Sequence, residues 1–171
     1  ERSVLVPKNL DRTAEYIETF YRDIGVPVHR EPYSYRHYDV ANIVSEISFG
    51  DHPNTRFILG AHYDSVVGTV GADDNASAVA VQLETARQLN AIKDSRNLDL
   101  TVKFVSFALE EPPTYGTRHM GSRVYALQAW KKKERIDGMI RVAHLMPLHD
   151  IRVDRERVRQ RMAWILDALL D

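Results

Sequence analysis

The sequence predicts an α/β fold built on a mainly parallel sheet, and three observations carry that expectation. Residues 55–61, "TRFILGA", read as a strand whose apolar centre suits burial on both faces. From Asn75 to Leu89 the apolar residues Val79, Leu83, Ala86 and Leu89 recur on one helical face, and Leu98 to Leu109, "LDLTVKFVSFAL", returns to alternation. Strand, loop, helix, strand is the pattern of a βαβ unit.

The elements on either side fit the same class. Leu10, Ala14, Ile17, Phe20, Tyr21 and Ile24 stand at helical spacing over residues 10–24, and Gly25 is a natural stop. "VPVHREPYSY" and "VANIVSEISF" are β-branched and alternating, which suggests a hairpin or two neighbouring strands before the turn-rich "GDHPN" at 50–54. "KKKER", Lys131 to Arg135, reads as the solvated end of a helix. Val158, Met162, Ile165 and Leu169 predict a further amphipathic helix near the end of the chain.

Composition excludes several classes of function. A chain of 171 residues is one domain's worth, and a net charge of −1 gives no global pull toward nucleic acid or acidic lipid. Without cysteine there is no disulfide framework and no thiolate ligand, so any metal must be held by His, Asp and Glu. No stretch approaches the ~18 apolar residues of a membrane span, and "ERSVLVPKNL" lacks the apolar core of a signal peptide.

Function must therefore sit in a local site. "GADDNASA", Gly71 to Ala78, places Asp73, Asp74 and Asn75 together where one residue would cap a helix. In a parallel sheet the working residues collect beyond the carboxyl ends of the strands. Three segments fall there, offering His62, Asp64, Asp73, Asp74, Glu110 and Glu111. Taken singly, His62 is an ordinary surface or core histidine, and Asp73 or Asn75 a helix cap. Together, five carboxylates and an imidazole call for a compensating cation, and this donor set suits zinc or a similar divalent metal. Adjacent glutamates at a frayed strand end can diverge, one toward a metal and the other free to take a proton.

With "GAHYDSV" at 60–66, "GADDNAS" at 71–77, "FALEEPP" at 107–113, "MGSRVYA" at 120–126 and "GMI" at 138–140, the chain resembles the co-catalytic zinc aminopeptidases of metallopeptidase family 28, from about residue 5 to 140. The resemblance implies a three-layer αβα, zinc-exopeptidase-like fold and a peptide substrate. It implies His62 as ligand of one zinc, Asp74 as the carboxylate bridging two, and Glu111 as ligand of the second. Glu110 corresponds to the general base, Asp64 to the carboxylate orienting the imidazole, and Asp73 to a capping or loop-shaping neighbour. It also implies a cis peptide bond after Asp74, and a secreted or envelope-associated protein.

Past Ile140 the likeness stops. The resemblance places an acidic ligand where this chain has Ala143, and the last histidine ligand in a segment further on. The expected organisation is thus residues 1–140 as the N-terminal part of a catalytic domain, truncated at its C-terminal side, and 141–171 as a divergent tail. In that tail His144, His149 and Asp150 are the candidate replacement ligands. The expected function is a zinc-dependent exopeptidase, impaired by the loss of two ligand positions. A non-catalytic, weakly metal-binding relative and a glutaminyl-cyclase-like acyltransferase are the alternatives.

Overall fold

A computed structural model describes residues 1–51 and 53–142. Its elements are α1 (Pro7–Asp23), β1 (Val28–Tyr35), β2 (Tyr38–Phe49), β3 (Thr55–His62), α2 (Ala78–Ile92), β4 (Leu100–Phe107), α3 (Gly121–Lys131) and β5 (Gly138–Arg141). The helix expected at 10–24 begins earlier because Pro7, whose ring presets φ, sits in its first turn where no N–H is needed. The tail helix expected around Val158 to Leu169 lies outside the described residues, as do Ala143, His144, His149 and Asp150.

The strands form one mixed sheet in the order β1-β2-β4-β3-β5. The hairpin β1–β2 and the pair β2–β4 are antiparallel, whereas β3 pairs in parallel with both β4 and β5. The parallel half carries the site. In its register His62 stands opposite Phe107, so the segments leaving β3 and β4 start level with each other at the same edge.

Alternation sends neighbouring residues to opposite faces of the sheet. Ile43, Ile47, Phe49 and Phe104 meet Leu10, Ala14, Ile17 and Tyr21 of α1 and Leu83 and Ala86 of α2. Val44, Ile58, Val105 and Phe107 face the other way, against Tyr125 and Ala129 of α3. The result is three layers, helix, sheet, helix. Fully buried Gln82 stitches α2 to the parallel strands, donating to the Leu59 carbonyl at 2.8 Å and accepting from the Ser106 hydroxyl at 2.6 Å. Among the described residues no helix is long and apolar enough to cross a membrane.

Candidate metal centre

His62 is the last residue of β3 and is only 5% exposed. Its Nδ1 lies 3.3 Å from Asp64 Oδ1, and the other carboxylate oxygen of Asp64 accepts the Glu111 backbone N–H at 3.0 Å. One buried carboxylate thus aligns the imidazole and the chain segment that carries Glu111. When Nδ1 carries the proton toward Asp64, Nε2 is left as an outward-facing lone pair. That nitrogen is 3.1 Å from Asp74 Oδ1 and 3.7 Å from Glu111 Oε1.

Asp74 arrives from a kinked turn, Ala72–Ser77, that precedes α2. Gly71 opens the turn at φ +58°, and a Cβ there would meet the Ser65 Cβ at 2.5 Å and the Asp74 carbonyl at 2.7 Å. Only glycine fits. Asp74 (φ −104°, ψ 93°) and Asn75 (φ −139°, ψ 34°) leave helical geometry, and the bond between them is cis. This is why α2 starts three residues after Asn75. No side chain caps α2; Asp73 contributes through its carbonyl, which accepts from the Ser77 hydroxyl at 2.7 Å.

On the β4 side, Leu109 is buried with φ +57°, a left-handed conformation that turns the chain sharply after the strand. The two glutamates then part. Glu111 faces His62, while Glu110 turns to the start of α3, accepting the Ser122 N–H at 2.6 Å and its hydroxyl at 3.0 Å. Wholly buried Asn42 ties the two ends of this loop: it accepts from the Ala108 N–H at 3.1 Å and donates to the Gly121 carbonyl at 3.0 Å. The Tyr33 hydroxyl donates to the Ala108 carbonyl at 3.1 Å. Asn42 and Tyr33 carried no local signal in the sequence, whereas Ser122 lay within "MGSRVYA".

The electrostatics are those of a site short of positive charge. Burial pushes His62 toward neutrality, but the Asp64 hydrogen bond and the charges of Asp64, Glu111 and Asp74 outweigh it, and its pKa is raised. Burial raises Glu110 while its bonds to Ser122 pull it down, with a net rise. Glu111 is raised by burial and by its acidic neighbours, against the opposing pull of His62.

One ligand atom from each of His62, Asp74 and Glu111 lies within 4.8 Å of the others. Zinc bonds of ~2.0–2.2 Å place the ligand atoms of a tetrahedral ion roughly 3.4 Å apart. The 3.1 and 3.7 Å separations around Nε2 are close to that spacing.

Comparison with known proteins points the same way. The uncharacterized protein YfbL of Escherichia coli (strain K12) is 38% identical over 133 residues, covering 69% of this chain and 37% of YfbL. Aminopeptidase YwaD of Bacillus subtilis (strain 168) is 38% identical over 68 residues, covering 40% of this chain and 14% of that protein. The chain thus spans well under half the length of these relatives. Among solved structures, a glutaminyl cyclase of Macrostomum lignano aligns with a TM-score of 0.69 at 22% identity, over 91% of this chain and 55% of that one. A Zn-dependent exopeptidase of Parabacteroides distasonis aligns with a TM-score of 0.55 at 19% identity, over 80% and 53%. At such identities the two structures speak to the fold alone. A model of peptidase family M28 matches residues 42–143, more than half of the sequence and the whole of the His62, Asp74 and Glu111 cluster. This chain belongs to peptidase family M28.

Proposed function

We propose that residues 1–140 are the N-terminal part of the catalytic domain of a zinc-dependent aminopeptidase and that 141–171 form a divergent tail. The observation that carries this reading is the convergence of His62, Asp74 and Glu111 on one point, with Glu110 next in the chain to Glu111 and within reach of the His62 charge. Zinc bound there would supply a Lewis acid that polarises a peptide carbonyl and lowers the pKa of water. His62, Asp74 and Glu111 would hold the ion, and Asp64 would keep His62 in the tautomer that presents Nε2. Glu110 takes the proton from the attacking water and passes it to the departing amine. Ser122 binds both oxygens of that carboxylate and opposes the rise in pKa that burial causes.

Three donors suffice for one ion. The two-zinc arrangement that the resemblance implies would share Asp74 and draw further donors from beyond residue 142, where Ala143 replaces the acidic one. We therefore expect weak zinc binding and slow turnover from this chain. The reading includes export to the envelope or beyond, in keeping with the family members it resembles.

The test is hydrolysis of aminoacyl-nitroanilides with and without added zinc, beside elemental analysis of the dialysed protein. Slow, zinc-dependent release of nitroaniline that disappears in Glu110→Gln is the expected result. Turnover indifferent to zinc or to Glu110→Gln would overturn it, and cyclisation of N-terminal glutamine without peptide cleavage would replace it with the cyclase reading.

A further inference from the structure

The loop from Tyr63 to Gly71 links the end of β3 to the Asp74 turn, and its fastening comes from the far end of the chain. Arg2 Nε donates to the Tyr63 carbonyl at 2.8 Å, Nη1 to Val70 at 2.7 Å and Nη2 to Gly71 at 2.8 Å. The backbone adds a reciprocal pair, Arg2 N–H to the Ser65 hydroxyl at 3.0 Å and Ser65 N–H to the Arg2 carbonyl at 3.3 Å. One planar cation therefore spans both ends of the loop, beside His62 at one end and three residues before Asp74 at the other.

The Gly71 carbonyl also accepts the Ala76 N–H at 3.1 Å, the bond that closes the turn around Asp74. Arg2 thus acts on the oxygen that sets this turn. A Cβ at Gly71 would stand 2.8 Å from Arg2 Nη2, a measure of how closely the guanidinium is seated. Arg2 lies outside the residues matched by the family model.

We propose that Arg2 is a positioning residue of the metal centre: its guanidinium holds the 63–71 loop so that Asp74 stays in register with His62. The inference rests on the zinc reading of that cluster. An ammonium cannot replace the fork, because the three carbonyls are met by separate, coplanar N–H groups. The bonds are charge-assisted, which makes them stronger than neutral pairs.

The experiment measures zinc affinity of the full chain by competition with a chromophoric chelator, together with the metal-free thermal midpoint. Arg2→Ala and Arg2→Lys are compared with Arg30→Ala, which breaks the ion pairs of Arg30 with Glu18 and Asp11 and removes none of the hydrogen bonds that hold the loop. Both Arg2 variants should bind zinc about 10 to 100-fold more weakly, the range typical when a group supporting a ligand is lost. Guanidinium ion at non-denaturing concentration should restore part of the affinity of Arg2→Ala, and Arg30→Ala should lower the midpoint with zinc affinity unchanged. Wild-type affinity in both Arg2 variants, or an equal loss in Arg30→Ala, overturns the inference and leaves the zinc reading standing. A wild-type chain that binds no zinc removes the reading and the inference with it.

Discussion

The loop after β3 and the loop after β4 form two walls of one site, and they are held by opposite means. The β4 wall is fastened from within, by wholly buried Asn42, by the Tyr33 hydroxyl and by Ser122 at the start of α3. The β3 wall is rooted in the core only at its start, where the buried Tyr63 hydroxyl donates to the Ala41 carbonyl at 2.7 Å and Asp64 accepts the Glu111 N–H; its far end is fastened from outside, by half-buried Arg2. The two proposed ligands differ accordingly: the Glu111 side chain is 16% exposed, that of Asp74 46%. One wall is set by the core throughout, and the far end of the other depends on a surface clamp. Stability and metal affinity should therefore respond to different substitutions.

The largest effect should come from the ligands themselves. Glu111→Ala on one wall and Asp74→Ala on the other should each weaken zinc by more than about 100-fold, since even supporting partners cost 10 to 100-fold. A loss confined to one wall, read by chelator competition, would break the view that both serve one ion. Next comes folding stability. Asn42→Ala orphans the buried Ala108 N–H and should cost about 2–3 kcal/mol in urea unfolding, whereas Ser65→Ala on the β3 wall should cost about 1 kcal/mol or less. Equal costs would erase the contrast.

A smaller and shared effect is expected in alkali. Tyr63 and Tyr33 back the two walls, and burial, reinforced by nearby groups including Asp64, raises both phenols. A pKa raised in the folded state favours folding fully below the unfolded value of about 10. That contribution is then lost as the pH climbs toward the folded values, at about 1.4 kcal/mol per pH unit for each tyrosine. Unfolding followed by phenolate absorbance should show the decline flattened in Tyr63→Phe and Tyr33→Phe; a decline equal to wild type in both would assign it elsewhere. The smallest change should be Val70→Ser, at an exposed side chain near the far end of the loop: under about 0.5 kcal/mol, with zinc affinity unaltered. A marked loss of affinity there would mean that the loop's side chains, and not only its carbonyls, hold the wall.

Much of this was legible before any coordinates, because periodicity is a short-range property. Alternation across Leu98 to Leu109 and the apolar face of Val79, Leu83 and Ala86 announced β4 and α2, and their order placed the two glutamates beyond a strand end and His62 just past one, where the structure makes it the last strand residue. Boundaries were less legible. The helix expected from Asn75 begins at Ala78, because the turn that presents Asp74 needs dihedrals no helix allows. Asp73, expected as a cap or loop-shaping neighbour, contributes through its carbonyl to Ser77, a role that depends on backbone direction and not on residue type.

By itself the sequence determined the βαβ plan, the donor set without thiolates, and the local order of residues around each strand end. Each of these depends on neighbours a few positions apart. Only the tertiary structure decided that β2 runs antiparallel beside β4, and that Asp74 comes within 3.1 Å of His62. It also decided that Glu110 and Glu111 part company at Leu109, and that Arg2 and Asn42 fasten the two walls. The contacts of those two residues span 61–69 and 66–79 positions along the chain. Hydrogen bonds over such intervals form only when the closed sheet has removed water from both partners and fixed their directions, so no local pattern in the sequence announces them.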